Sequence, residues 1–308
     1  MQRQLRFPYV AATLGFIFVI PLAYSQSAAL EQRLRDQYQG KTLMLRGFYS
    51  ADHLRYNSAG VLTSFAPSGD WTADGFVVVN EIRLSRQRLT IKAKRLLVVS
   101  IDKKFQFQVA EQPERRRKEK KPVLLEIEAD IGTDNSSADR ADAALAGIFL
   151  TAQDHLVDLI PDYWNPCVRA GLIAKDLNCH FSPEMLAIPG VHRDEDSSAS
   201  DTPGASENRT KPGVDHVGGG VSPPRLTFQK DPEFSERARQ AKYQGIVVLN
   251  LVVNEEGLPT NIHILNPLGC GLDAKAVQAV ETWRFQPAEK DGQPVPVEIA
   301  VEVDFHLY

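Results

Sequence analysis

At residues 297–307 the chain has the sequence Val-Glu-Ile-Ala-Val-Glu-Val-Asp-Phe-His-Leu, in which large apolar residues occupy every second position. This alternation is typical of a half-buried β-strand, because successive side chains of a strand point to opposite faces. The face from Val297 to Leu307 is expected to pack on a core. The opposite face carries Glu298, Glu302 and Asp304 and is expected to lie in water.

Two further strands are predicted upstream of this one. Residues 246–253 are an almost continuous run of Val, Ile and Leu, and residues 260–265 form a second apolar run. Glu255-Glu-Gly257 is a turn signal between them. Three consecutive antiparallel strands are therefore expected.

Two helices are predicted around these strands. Residues 235–242 form a short helical segment that Gly245 is expected to close as a C-terminal glycine. Residues 272–283 have helical periodicity, and Asp273 lies at the start, where an acid favours the helix dipole. The expected fold of residues 222–308, the C-terminal module, is an α+β sandwich in which both helices cover one face of the sheet. Such a sheet has unpaired edges that can accept an incoming strand.

Residues 26–185, the middle domain, are predicted to be a β-rich α+β domain of mostly antiparallel strands, with no recognisable role. The predicted elements are a helix over 28–39, strands at 43–49, 61–65, 75–79, 89–99 and 105–109, and a helix over 141–159. Basic residues are concentrated between Arg83 and Lys121, which would suit an anion-binding surface. A solvated strand face followed by a charged loop is the better interpretation.

The chain has three cysteines. Cys167 and Cys179 lie twelve positions apart, and in an oxidising compartment they could form a disulfide worth about 3 kcal/mol. Cys179 and His180 could instead suggest a metal ligand pair, but without further ligands we predict no metal site. Cys270 is expected to pack as a small apolar group.

Residues 186–221 are rich in Asp, Ser, Gly, Pro and Thr and have no apolar periodicity. This composition is typical of a flexible linker, because it cannot bury enough surface to offset the entropy of ordering. The C-terminal module is thus expected to be tethered to the middle domain and not fixed on it.

The N-terminal residues 1–25 have the pattern of a targeting segment. Arg3 and Arg6 precede an apolar run that Pro21 ends, and Ala23 and Ser25 are small residues of the kind found before a signal-peptidase site. We favour a cleaved signal peptide, with a mature chain from about Gln26. An uncleaved inner-membrane anchor is the alternative, and both place the rest of the chain in the periplasm or cell envelope.

The composition excludes several classes of protein. The chain has 308 residues, 43% hydrophobic and 24% charged, so a disordered chain or a polytopic membrane protein is not expected. The net charge of −4 does not indicate a nucleic-acid partner. No catalytic triad, zinc-protease, phosphate-loop or dinucleotide motif occurs, so we expect neither an enzyme nor a cofactor.

Several segments of the C-terminal module, in this order and spacing, resemble the C-terminal domain of TonB energy transducers. They are Tyr243-Gln-Gly-Ile-Val-Val-Leu, Asn254-Glu-Glu-Gly, Gly271-Leu-Asp, Ala279-Val-Glu-Thr-Trp-Arg-Phe-Gln-Pro and Asp291-Gly-Gln-Pro-Val. The motif positions that carry the resemblance are Gly245, Gly257, Leu272, Asp273, Trp283, Arg284, Phe285, Pro287, Gly292 and Pro294. We expect Trp283, Phe285 and Pro287 to build core and turns and not to bind a partner directly. The resemblance covers about residues 222–308.

The resemblance implies a periplasmic protein that takes part in energised transmembrane transport. In the family, the TonB box peptide of an outer-membrane, TonB-dependent receptor pairs as an added strand with the last strand of this domain, and the ExbB–ExbD proton channel supplies the force. The implied partner-binding residues here are Val297, Glu298, Ile299, Ala300, Val301, Glu302 and Val303. Proline at Ile299 is then expected to abolish peptide capture and to leave the fold intact. ExbB–ExbD and a second copy of the chain, as a homodimer, are further candidate partners.

The chain departs from the family in two ways. Its apolar N-terminal segment has Thr13 and no His, whereas TonB anchors usually carry a Ser and a His, and it lacks a long Pro-Lys and Pro-Glu spacer. The alternative is a secreted or periplasmic scaffold that uses the module to bind protein or peptidoglycan without transducing force.

Overall fold

The protein is represented by a computed structural model that describes residues 22–85, 87–112, 121–132, 136–151, 153–169 and 214–307. Cys179, residues 186–213 of the predicted linker and residues 1–21 of the predicted targeting segment lie outside the described residues. Within the described ranges, no helix has both the length and the apolar character needed to cross a bilayer.

The middle domain is built on a six-stranded sheet. Its strands are β1 (Thr42–Met44), β2 (His53–Tyr56), β3 (Phe76–Ser85), β4 (Arg88–Ile101), β5 (Lys104–Val109) and β6 (Leu124–Asp130). Their order is β1-β3-β4-β6-β2, and β5 also pairs with β4. Neighbouring strands are antiparallel except β2 and β6, which run parallel.

Helices and short helical turns complete the middle domain. They are α1 (Leu22–Tyr38), α2 (Trp71–Asp74), α3 (Ser137–Ile148) and α4 (Asn165–Arg169), with 3-10 turns at Leu156–Asp158 and Asp162–Trp164. Leu30 and Leu34 of α1 are buried in the same cluster as the inward residues of β4. On β4 the alternation predicted from the sequence is present, because Leu89 and Ile91 are buried while Lys92 is exposed.

Two predictions for the middle domain are wrong. The helix expected over 141–159 ends at Ile148, because Phe149 is extended and pairs with Leu45 in an isolated bridge. The strand expected at 61–65 is a loop that lies against β2, where Leu62 forms an isolated bridge with Tyr56 and the Thr63 N–H donates to the Arg55 carbonyl over 2.7 Å.

The C-terminal module has the predicted α+β architecture. Its strands are β7 (Arg225–Phe228), β8 (Gly245–Val253), β9 (Pro259–Asn266), β10 (Arg284–Gln286), β11 (Ala288–Lys290), β12 (Gln293–Val295) and β13 (Val297–Phe305), and its helices are α5 (Glu236–Ala241) and α6 (Leu272–Val280). The main sheet has the order β13-β8-β9 and is antiparallel throughout. β7 pairs with β10, and β11 pairs with β12.

The helix end predicted at Gly245 lies earlier in the chain. α5 ends at Ala241, and Lys242 takes the left-handed conformation with φ 52° and ψ 35°. The N–H of Lys242 donates to the carbonyls of the last helical turn, so the cap is complete without a glycine. Gly245 is instead the first residue of β8, opposite Phe305.

The C-terminal module is packed on the middle domain, which differs from the expected free tether. Both parts contribute to one buried cluster, which includes Trp71, Phe76, Val98 and Phe105 from the middle domain and Val247, Leu249, Leu272 and Trp283 from the module. The loop between β9 and α6 pairs with the end of β4, where the Cys270 N–H donates to the Val98 carbonyl over 2.7 Å. The Ser100 N–H donates to the Leu268 carbonyl over 2.9 Å. Because β3 pairs with β4 only as far as Leu96, this loop meets a stretch of β4 that β3 leaves unpaired.

Candidate peptide-binding edge

β13 is an edge strand, and its two hydrogen bonds with Asp215 show which of its backbone groups point away from β8. The Glu298 N–H donates to the Asp215 carbonyl over 3.4 Å, and the Asp215 N–H donates to the Pro296 carbonyl over 2.9 Å. The backbone N–H and C=O groups of Glu298 therefore point away from β8. Since N–H and C=O groups alternate sides along a strand, Ala300, Glu302 and Asp304 also present theirs outward.

The outward backbone groups of Ala300, Glu302 and Asp304 form what we call the open rim. Among the described residues, no backbone or side-chain hydrogen bond reaches these N–H groups. Ile299 has the opposite orientation, and its backbone faces Leu251 in the β13–β8 ladder. The open rim can therefore accept main-chain hydrogen bonds from an extended segment.

The two faces of β13 differ as the sequence predicts. Val297, Val303 and Phe305 are buried, and Ile299 and Val301 are partly buried against the shared core. The other face carries Glu298, Ala300, Glu302 and Asp304, of which the last three are exposed. The Glu298 carboxylate accepts a hydrogen bond of 2.9 Å from the Asn250 amide on β8.

The opposite edge of this sheet is covered by the middle domain. Residues 162–169 lie along β9. The Cys167 thiol donates to the Ile264 carbonyl at 3.6 Å, a long contact at the outer side of that strand. The open rim is therefore the side of the main sheet on which a strand can be added.

The end of the predicted linker already touches β13 at its first residues. Asp215 forms a parallel bridge with Val297, and its carboxylate accepts an ion pair from the Lys290 ammonium at 3.3 Å. Val221 closes a small buried cluster with Ala288 and Val297. Val297 and Glu298, two of the predicted partner-binding residues, are thus partly occupied by the chain itself, whereas Ala300 and Glu302 are not.

The TonB-like motif residues build the module and do not line the open rim. Trp283 and Phe285 are buried, and the Trp283 indole N–H donates to the Lys230 carbonyl over 3.1 Å. Gly257 has φ 76°, and a Cβ there would lie 1.9 Å from the Phe285 carbonyl, so this turn requires glycine. Four other motif residues are at the surface or in turns. Arg284 is exposed, Pro287 is partly buried, Gly292 lies in the β11–β12 hairpin turn and Pro294 is exposed in β12.

Leu272 and Asp273 open α6 in a fully buried position. The Asp273 carboxylate accepts the Leu268 N–H at 2.8 Å and the Gly269 N–H at 2.6 Å, which fixes the loop that meets β4. Burial raises the pKa of Asp273 to about 7, and the two backbone N–H donors oppose that rise.

A buried ionic cluster joins the two parts, and no local pattern in the sequence indicates it. Asp74 at the end of α2 accepts ion pairs from Arg95 of β4 at 3.5 Å and from Arg237 of α5 at 3.2 Å. Arg95 is fully buried and also donates to the carbonyls of Asp74, Tyr49 and Ala51. The cluster borders a cleft of about 970 Å³ between the two parts.

The predicted disulfide is not tested, because Cys179 lies outside the described residues. Cys167 is buried, and burial raises the pKa of its thiol to about 12. Cys270 is likewise buried, as expected for a small apolar group.

Two basic residues of β4, Arg88 and Lys92, lie opposite acids on neighbouring strands. Lys92 lies opposite Glu81 of β3 and Glu126 of β6. Within the described part of the chain, His53, Glu126 and Glu128 bring potential metal-ligand atoms together. Glu128 already accepts ion pairs from Arg55 at 3.1 Å and Arg88 at 3.5 Å, which favours a salt-bridge network over a metal site.

Comparison with known proteins agrees with the C-terminal fold. Residues 230–307 match the family described as Gram-negative bacterial TonB protein C-terminal. Protein TonB of Vibrio cholerae serotype O1 is 28% identical over 86 residues, which cover 28% of this chain and 35% of that protein. Protein tonB2 of Pseudomonas aeruginosa is 32% identical over 77 residues, which cover 25% of this chain and 28% of that protein.

The chain thus spans about a third or less of the length of these curated relatives. A solution NMR structure of the Pseudomonas aeruginosa TonB CTD aligns with 31% of this chain and 97% of that domain, at 16% identity and a TM-score of 0.23. On the strength of the family match and the two relatives, residues 230–307 are a TonB C-terminal domain.

Proposed function

We propose that this protein acts in the periplasm and binds outer-membrane, TonB-dependent receptors by adding a receptor strand to β13, as part of energised transport. The observation that carries the proposal is the open rim, a run of outward backbone groups on the edge strand of a TonB C-terminal domain. Main-chain hydrogen bonds to this rim give affinity for an extended peptide without a strict sequence requirement.

The geometry supports a footprint that differs slightly from the one expected from the sequence. The expected footprint is 297–303. Because Asp215 pairs at Val297 and Glu298, an incoming strand meets unpaired backbone only from Ala300 to Asp304. A longer footprint requires displacement of Asp215 and its ion pair with Lys290.

The test is site-specific photo-crosslinking in the native cell envelope with the full chain. A benzoylphenylalanine at Ala300, which is exposed beside the open rim, is expected to crosslink to receptor segments. The same probe at Glu281, which is exposed at the end of α6, is the matched control. Equal receptor crosslinking from both sites, or none from Ala300, would overturn the proposal.

The second candidate function is a scaffold that binds its partner without transducing force. It is favoured by one observation: the module shares a buried core with a folded domain. N-terminal sequencing of the mature protein separates the two functions. A start near Gln26 would remove a membrane anchor and favour the scaffold, whereas an intact N-terminus favours transduction.

A further inference from the structure

The side chains of an added strand would fall on the two faces of β13 in a fixed way. In a sheet, residues directly opposite each other point to the same face. A residue opposite Ala300, Glu302 or Asp304 therefore lies on the acidic face. A residue opposite Val301 or Val303 lies on the face that packs on the core.

The acidic face has a surplus of negative charge along the open rim. Glu302 is exposed, and no basic side chain lies within ion-pairing distance of it among the described residues. The Glu298 carboxylate accepts a hydrogen bond from the neutral Asn250 amide, and the Asp304 carboxylate contacts the His306 ring at 2.5 Å. On one strand face, these acidic side chains disfavour an acidic neighbour and favour a basic one.

The other face offers apolar contact. Ile299 and Val301 are partly exposed at the strand edge while they pack on the shared core. A small or β-branched apolar side chain beside them would extend this core outward. A second copy of β13 would fit poorly, because it would bring its own acidic face against Glu302 and Asp304.

We propose that the open rim selects an extended segment with basic side chains at alternate positions and apolar side chains between them. The proposal rests on strand addition at β13 and specifies the chemistry of the partner segment. The basic residues lie opposite Ala300, Glu302 and Asp304, and the apolar residues opposite Val301 and Val303.

The test uses three short peptides flanked by Gly and Ser, with the cores Lys-Val-Lys-Val-Lys, Thr-Val-Thr-Val-Thr and Glu-Val-Glu-Val-Glu. Each is titrated into the isotopically labelled mature chain at low salt, and the amide shifts of Ala300, Glu302 and Asp304 are followed by NMR. We expect the Lys peptide to bind about three- to tenfold more tightly than the Thr peptide, and the Glu peptide to bind most weakly. High salt is expected to reduce the differences in affinity between the three peptides, because it screens the charges.

Two matched variants locate the preference. Glu302→Gln is expected to reduce the ratio of the affinity for the Lys peptide to the affinity for the Thr peptide. Glu281→Gln makes the same charge change at an exposed acid at the end of α6 and is expected to leave this ratio unchanged. A peptide with the core Lys-Lys-Val-Val-Lys breaks the alternation and is expected to bind no better than the Thr peptide.

The outcomes separate this proposal from the function on which it rests. Equal binding of all three peptides, lost in Ala300→Pro, would overturn the charge selection and leave strand addition standing. Absence of binding by every peptide would contradict strand addition itself. Lys-peptide binding that survives Ala300→Pro, or a dimer that Ala300→Pro dissociates, would also overturn the proposal.

Discussion

Asp74 of the middle domain and Arg237 of the C-terminal module form an ion pair of 3.2 Å, although they lie 163 positions apart in the chain. Both side chains are largely buried, and Arg95 contacts the same carboxylate. Asp74 is thus a buried carboxylate shared by two guanidinium groups where the two parts of the protein meet. The exposed carboxylate of Asp52 lies farther from them, 3.8 Å from Arg95 and 3.7 Å from Arg237.

Replacement of this carboxylate is expected to be severe. Asp74→Asn leaves Arg95 and Arg237 adjacent with the exposed Asp52 as their remaining counter-charge among the described residues, which should reduce the free energy of unfolding by about 3 kcal/mol. Arg237→Ala leaves the Asp74–Arg95 pair intact and should cost less. Urea unfolding measures the stability of both variants, with Arg239→Ala as the control, because Arg239 is exposed and pairs with Glu236 of its own helix. An Asp74→Asn protein as stable as the control would refute the role given to the cluster.

The close approach of the β9–α6 loop to β4 makes Gly269 a sensitive position. Gly269 has φ 87°, and a Cβ there would lie 2.2 Å from the Val98 carbonyl. Gly269→Ala is therefore expected to destabilise by roughly 2 kcal/mol or more beyond the conformational cost alone. Gly219→Ala is the matched control, since it has φ 60° but open space around its Cβ, and it should cost only about 1–2 kcal/mol. Equal losses in thermal unfolding would show that the approach to β4 is not tight.

Proline substitutions on β13 distinguish the open rim from the ladder. Ala300→Pro removes an outward N–H and is expected to abolish peptide capture while changing stability by less than about 1 kcal/mol. Ile299→Pro removes a ladder hydrogen bond to β8 and is expected to cost about 1–3 kcal/mol of stability. The sequence predicts that proline at Ile299 leaves the fold intact; the orientation of Glu298 and Asp215 indicates that Ala300 is the position for this test. Peptide affinity and urea unfolding of both variants decide between the positions.

Burial of Asp273 predicts a dependence of stability on pH. Its pKa is about 7 in the folded protein and 3.8 as the ordinary value, so between these pH values the folded state holds a proton that the unfolded state has released. The free energy of unfolding should therefore fall as pH rises from about 4 to 7, by at most about 1.4 kcal/mol per pH unit, and level off above. Burial of Asp70 acts in the same direction, so the contribution of Asp273 is read from the difference between the wild type and Asp273→Asn. Asp291→Asn, in an exposed turn, should keep the wild-type slope, and an unchanged slope in Asp273→Asn would contradict the prediction.

The buried thiols should be protected from alkylation. Burial raises the pKa of both Cys167 and Cys270 to about 12, so neither forms the reactive thiolate near neutral pH. Iodoacetamide is expected to label Cys270 only after unfolding. In the unfolded chain, three labelled thiols would argue against the predicted Cys167–Cys179 disulfide, and one labelled thiol would support it.

Local patterns predicted much of the fold. The period-two alternation of β13 and β4 fixed both strands and their buried faces, and the same patterns indicated the three-stranded sheet of the module. These features depend on neighbouring residues, which a sequence shows directly. The helix expected over 141–159 is wrong because tertiary pairing of Phe149 with Leu45 overrides local periodicity.

The contacts between the two parts could not be predicted in this way. Arg237 belongs to an ordinary short charged helix, and Gly269 and Gly271 belong to what the sequence indicates only as a break between elements. Their importance comes from residues far away in the chain, since the Gly271 N–H donates to the Thr72 hydroxyl over 2.7 Å across 199 positions. The pairing of Asp215 with Val297 and Glu298 could not be predicted either, because the composition of the segment around Asp215 predicts only a linker.

The coverage of β9 by residues 162–169 also limits how copies of this protein can associate. A filament built by edge-to-edge stacking needs two complementary edges on every subunit, one to accept and one to offer. Since residues 162–169 cover β9, the main sheet has its open edge at β13, and edge-to-edge stacking of this sheet cannot continue from copy to copy through β9.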